Sequence, residues 1–219
     1  MKIFDIEQGS IAWYAARAGI PTASEFSNII TPKNGSYSKS AEKYANRLVA
    51  EIYMREPIQK DFVSFDMERG KILEQMASDA YEMVVGEKTK IAGFITDDKG
   101  MYGCSPDRFV GETGLVEIKC LKPENHMELL LKQEMPYKYK PQIQGQLLIC
   151  EDREFVDWWL YHPSLPAVQI RNVRDEVYIA KLKSGLERFW EIMLKKLDRL
   201  KALGYDWFEL SEGTILDAG

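Results

Sequence analysis

The chain has 219 residues, 45% of them hydrophobic and 11% aromatic, which is enough to bury one sizeable core as a single domain over 1–219. No apolar run reaches the length that crosses a bilayer, and Met1 to Asp5 carry no signal-peptide core, so a soluble intracellular protein is expected. With 29 basic against 34 acidic residues the net charge is −5, which excludes a protein that holds nucleic acid by bulk charge alone.

The first segment predicts a short helix through Ala12 to Arg17, a turn at Gly19-Ile20-Pro21, and a new helix opening at Thr22, with Thr22 and Glu25 as a capping box. After a polar loop at Pro32 to Ser36, Ala41, Tyr44, Ala45, Leu48, Val49 and Ile52 recur at helical spacing. A second long helix is expected from Asp66 to Val85, with Ile72, Leu73, Met76, Ala77 and Ala80 on one stripe and Glu74 at its edge.

From Lys90 the pattern changes to strands: Ile91 to Thr96, Met101 to Val110 and Leu115 to Leu121, joined by turns at Asp98 to Gly100 and Gly111 to Gly114 as a β-meander. Helices follow at Glu124 to Lys132 and Tyr139 to Cys150, strands at Glu154 to Tyr161 and Ala167 to Val173, and a long helix at Asp175 to Leu203. This order predicts an α/β fold with a central mixed sheet flanked by helices. Residues 204–219 are acidic and weakly patterned and read as a partly ordered tail. Cys104, Cys120 and Cys150 are odd in number and widely spaced, so they read as buried thiols in a reducing compartment.

Alternation in the third strand puts Glu117 and Lys119 on one face, and the preceding turn brings Asp107 within reach of both. Two carboxylates and a backbone carbonyl form a hard oxygen site suited to Mg²⁺ or Mn²⁺; only two histidines, His126 and His162, are present, and both read as structural. Such a cation neutralises a phosphodiester, with Lys119 positioning water and stabilising charge. The same residues also read as a surface salt bridge across a hairpin. Glu74, beside the small Gly70 and Ala77, has room for an ion, or is an ordinary boundary glutamate. Gln142 and Gln146 share a helix face at i and i+4, with Gln144 on another, and each can contact phosphate or simply face solvent. Arg17, with the helix opening at Thr22 to Ser24, reads as a phosphate pocket or as a simple cap beside an exposed arginine.

Taken together, Gln8-Gly9, Ala12-Trp13, Arg17, Gly19, Thr22 to Glu25, Gly70-Lys71 with Glu74, Cys104 to Asp107, Glu117 to Cys120 and Gln142 to Gln144 resemble the phage lambda exonuclease family. These are also called YqaJ-type viral recombinase nucleases, within the PD-(D/E)XK superfamily. The resemblance runs from Gln8 to about Tyr161 and implies a restriction-endonuclease-like core. It implies a Mg²⁺-dependent 5′-to-3′ exonuclease acting on double-stranded DNA ends, releasing 5′-mononucleotides and leaving 3′ overhangs for annealing-type recombination. Asp107, Glu117, the Ile118 carbonyl and Glu74 would then hold metal, Mg²⁺ or Mn²⁺ and two ions per site, with Lys119 and Gln144 handling the attacking water and scissile phosphate. Arg17, Ser24 and Ser105 would hold the 5′-phosphate, Met67 would be a wedge between base pairs, and Lys33 would touch the duplex. The resemblance further implies a toroidal homotrimer threaded by DNA, a single-strand annealing protein as partner, and a phage or prophage product in a bacterial cytoplasm. An endonuclease of the same fold, a non-catalytic DNA-end-binding scaffold and a soluble interaction domain are the alternatives.

Overall fold

The computed structural model describes residues 1–58 and 65–205, with side chains of the second stretch described from Ile72 onward. The side chain of Met67 and most of the expected tail, 206–219, lie outside the described residues.

The centre is a five-stranded mixed sheet in the order β2 (Thr89–Ile91), β5 (Arg108–Val110), β6 (Gly114–Lys119), β7 (Phe155–His162) and β8 (Leu165–Val173). Only β6 and β7 run parallel, a geometry that needs a crossover connection, and α4 (Pro123–Lys132) and α5 (Lys140–Ile149) supply it. Among the described residues, no helix is long and apolar enough to cross a membrane.

Alternation along β6 and β7 sorts side chains between two cores. Leu115, Val156, Trp158 and Leu160 belong to the large core with α2 (Ala41–Met54), α5 and α6 (Glu176–Ala202). Val116, Ile118 and Trp159 belong to a smaller one with Ala77 and Tyr81 of α3 (Phe65–Val85). The sheet is therefore covered on both faces, as the expected α/β fold requires. Because α3 covers only a small patch, its buried side chains among those described are Ala77, Ser78 and Tyr81, and Ile72 and Met76 of the expected stripe stand 75% and 49% exposed.

The expected meander does not form as one sheet. Its first strand breaks at Ala92-Gly93 into β2 and β3 (Phe94–Thr96); its second breaks at Ser105 to Asp107 into β4 (Gly103–Cys104) and β5. β3 and β4 leave the main sheet and join β1 (Lys2–Phe4), which the alternation did not reveal, in a separate three-stranded sheet. A Cβ on Gly93 would lie 2.0 Å from the Phe4 carbonyl, so the first break occurs where only glycine admits the crossing β1 segment.

α5 is buried nearly all round, as a core helix should be. Gly145 lets it approach the 3₁₀ helix Ala23–Asn28 so closely that an added Cβ would lie 2.6 Å from the Phe26 ring. That short helix replaces the α-helix expected from Thr22, and no side-chain cap forms. The Thr22 hydroxyl instead accepts from Arg17 at 3.3 Å, and Glu25 accepts from Asn28 at 2.7 Å.

Candidate active site

Ser10 caps α1 (Ile11–Arg17) by accepting from the Trp13 backbone N–H at 3.1 Å, which sets Trp13 and Arg17 one turn apart on one face. The Arg17 guanidinium stacks over the Trp13 ring, 3.9 Å from its centroid. Both residues donate to the same acceptor, the Ser105 hydroxyl, Trp13 from Nε1 at 2.9 Å and Arg17 at 3.2 Å. Through Thr22 the arginine also adjoins Ser24, whose hydroxyl lies 3.4 Å from that of Thr22. Burial lowers the Arg17 pKa from its usual value, yet a guanidinium keeps its charge. The outcome is a preset cation ringed by three hydroxyls.

Two residues beyond Ser105, Asp107 enters the same cleft. The β5–β6 register, with Arg108 opposite Val116, carries Asp107 to the level of Glu117, and its Oδ2 accepts from the Ile118 backbone N–H at 2.6 Å. Gln8 secures this turn by donating to the carbonyls of Ala92 and Pro106 at 2.7 and 2.8 Å, tying together the two strand breaks.

Glu117 is buried at 3% exposure on the face of β6 toward α5, where Gln142 donates to Oε1 and Gln146 to Oε2, each at 2.6 Å. Lys119, two residues on and on the same face, donates to Glu117 Oε1. Burial, and then the charge of Glu117, push the Asp107 carboxyl well above the usual carboxylate range; Lys119 opposes this and Glu74 adds to it. For Lys119 burial works against the charge, but Glu117 and Asp107 outweigh it and the pKa is raised, so the lysine is held as a cation.

Arg17, Ser24, Ser105, Asp107, Glu117 and Gln146 thus line one cleft of about 160 Å³. A roomier groove of about 520 Å³ between α2 and α6 offers a single carboxylate, Glu42, among apolar and basic side chains, and has none of this chemistry.

Other expected residues are placed elsewhere. Gln144 faces away: its amide donates to the Val173 carbonyl at 2.9 Å and accepts from the Asp175 N–H at 2.8 Å, joining α5 to the start of α6. Glu74 pairs with Arg108 at 2.6 Å. Among the described residues no three His, Cys, Asp or Glu side chains gather as a ready metal cage. Lys33 is exposed in the turn after Ile30. His126 is fully buried with Nε2 2.8 Å from the Pro166 carbonyl, and Cys104 and Cys150 are buried with their sulfurs 3.8 Å apart. Trp13, Gln8 and Arg108 were not singled out by their chemistry in the sequence; the spacing of Trp13 and Arg17, one helical turn apart, was the available signal for the first.

The model of the YqaJ-like viral recombinase domain matches residues 12–153, a stretch that contains all but the first residue of α1, both strand breaks, β6 and α5. The chain belongs to the YqaJ-like viral recombinase family. The alkaline exonuclease LHK-Exo from Laribacter hongkongensis superposes with a TM-score of 0.79 at 28% identity, covering 89% of this chain and 98% of that one. Its complex with dAMP gives 0.80 at the same identity and coverage. A phage-related exonuclease from Haemophilus somnus 129PT, 13% identical, covers 83% of this chain and 96% of that one with a TM-score of 0.62, and shares the fold. No curated protein matches the chain. As a YqaJ-like recombinase domain it thus has exonucleases as structural neighbours.

Proposed function

We propose that this protein is a Mg²⁺-dependent 5′-to-3′ exonuclease that digests double-stranded DNA from its ends, releases 5′-mononucleotides and leaves 3′ overhangs for annealing. The observation that carries the reading is the sharing of one cleft by a preset cation at Arg17 and a carboxylate pair at Asp107 and Glu117. A terminal phosphate gripped at Arg17, Ser105 and Ser24 by charge-assisted hydrogen bonds fixes where the next bond lies, which gives polarity and reaction geometry together.

The donor set fits a hard cation. Two carboxylates press on each other there, and Gln146 Oε1 is buried without a hydrogen-bond partner, an acceptor that a hydrated cation could satisfy. Asp107, Glu117 and the Ile118 carbonyl would hold Mg²⁺ or Mn²⁺, which when bound neutralises phosphate charge and lowers the pKa of water. Gln142 and Gln146 fix the Glu117 carboxylate. Lys119, kept cationic, stabilises charge on the phosphate and orients water, a role better suited to it than general base. A ring of three copies threaded by DNA would reconcile a chain of net charge −5 with a polyanionic substrate. A single-strand annealing protein as partner and a phage or prophage origin in a bacterial cytoplasm belong to the same reading.

The test is digestion of linear duplex with Mg²⁺, comparing 5′-phosphorylated with 5′-hydroxyl ends, for the wild type and Lys119→Ala. Progressive release of mononucleotides, faster from phosphorylated ends and absent in the variant, is expected. Equal nicking of circular DNA with indifference to end chemistry would replace the exonuclease by an endonuclease, and no cutting of any substrate would leave an end-binding scaffold.

A further inference from the structure

The last turn of α6 closes as a Schellman motif: the Tyr205 N–H donates to the Leu200 carbonyl at 3.0 Å and the Gly204 N–H to that of Lys201 at 2.9 Å, with Gly204 at a φ of +88°. This bends the chain off the helix axis and brings Tyr205 to α2, where its carbonyl accepts from the Tyr53 hydroxyl at 2.8 Å. Leu200 lines the groove between α2 and α6, and Tyr53 stands one helical turn beyond Val49, which lines the groove from α2. The chain therefore passes into residues 206–219 at one end of that groove.

Beside the apolar side chains of Val49, Ile192 and Leu200, the groove presents cations of α6. Lys196 is held by Glu42 at 2.8 Å, whereas Lys195 and Arg199 are exposed and have no carboxylate partner among the described residues. Residues 206–219 carry the complementary chemistry. Asp206, Glu209, Glu212 and Asp217 are their only charged side chains, and Trp207, Phe208 and Leu210 alternate with the first three acids. This one segment holds most of the net charge of −5.

We propose that the groove between α2 and α6 is the docking site of this chain's own residues 206–219, with their apolar side chains against Val49, Ile192 and Leu200 and their acids against Lys195 and Arg199. The reach is sufficient: Glu42 and Val49 mark about 11 Å of groove along α2, and the segment spans about 21 Å even when wound as a helix. A tether this short keeps the acids at high local concentration beside the cations. Occupied in this way, the face offers neither its apolar side chains nor its cations to other partners. The proposal stands independently of the nuclease reading above.

A photo-reactive benzophenone at position 208 of the intact chain (Phe208→p-benzoylphenylalanine) tests it, with the joined peptides mapped by mass spectrometry after illumination and sized by denaturing electrophoresis. Products of single-chain mass that join position 208 to the groove-lining parts of α2 or α6 are expected. The yield should fall several-fold in Lys195→Glu with Arg199→Glu, exposed positions where reversal spares the fold, and recover when Glu209→Lys and Glu212→Lys are added. Cross-links to another face, no cross-link within the protein, or a yield indifferent to charge reversal would overturn the proposal. Products of two-chain mass would do so as well, by giving the groove to a second copy.

Discussion

Gln146 donates to Oε2 of Glu117 at 2.6 Å beneath α5, where the two side chains are 1% and 3% exposed. With Gln142 on the other oxygen, the carboxylate is clamped by two neutral amides that cost it no charge. Replacing an outer-shell partner of this kind lowers metal affinity or activity by roughly 10–100-fold. Gln146→Leu is expected to fall in that range and to raise the Mg²⁺ concentration for half-maximal rate, with Gln142→Leu following in the same direction. A Mg²⁺ titration of the rate, alongside a melting curve, checks this; an unchanged Mg²⁺ response in folded Gln146→Leu would remove the clamp from the mechanism.

Gln144, two residues away, should behave in the opposite manner. Its bonds to Val173 and Asp175 hold the entry to α6, so Gln144→Leu removes the side-chain partner of a partly buried carbonyl and N–H and should cost about 1 kcal/mol of stability. Activity per folded molecule should stay within about twofold of the wild type, less than RT ln 10 in barrier terms. Denaturant unfolding and an initial-rate assay on the same sample separate the two effects.

These glutamines show how far the sequence could be read. Their spacing alone put Gln142 and Gln146 on one helix face and Gln144 on another, and the structure keeps that division. What spacing could not say was which face meets Glu117, because that depends on how α5 rolls against the sheet and on the close approach that Gly145 permits. Asp107, Glu117 and Lys119 were legible because turn length and two-residue alternation are local properties. The division of the strands between two sheets was not, since alternation runs on through Ala92-Gly93 and the break is imposed by β1, distant in sequence. Arg108 carried no local signal either: its partner Glu74 lies on another element, 34 positions earlier.

At the other part of the cleft, Trp13 contributes both a surface for Arg17 and a hydrogen bond to Ser105. Trp13→Phe keeps the first and loses the second, so it should reduce the preference for 5′-phosphorylated ends by several-fold, whereas Arg17→Met, which removes the charge, should reduce it by about tenfold or more. Competition between phosphorylated and hydroxyl-ended duplexes gives the ratio directly. A preference that survives Arg17→Met would place the phosphate anchor elsewhere.

Asp157 offers a test of stability away from the cleft. It is fully buried on the α3 face of β7, where burial opposes its charge but Arg171, Tyr81 and Gln169 all donate to it and hold its pKa below the usual value. A carboxyl whose pKa is lower in the folded than in the unfolded chain stabilises the fold above the unfolded value, near pH 4, and this contribution is lost as pH falls through the folded one. Asp157→Asn should therefore cost about 2 kcal/mol at pH 7 and progressively less below pH 4. Urea unfolding at pH 7 and pH 3 measures the difference; a cost independent of pH would mean that shape, not charge, matters at this position.

The break in the second strand has a consequence for what leaves the enzyme. Ser105 and Asp107 are separated by two peptide units, a span of about 7 Å at most, within the short break between β4 and β5. For an exonuclease of the kind proposed, the hand that grips the end of the strand and the hand that cuts it are joined by covalent bonds and act as a ruler. Substitutions elsewhere in the fold would alter how often the enzyme cuts; the size of the piece removed at each step is written into the backbone.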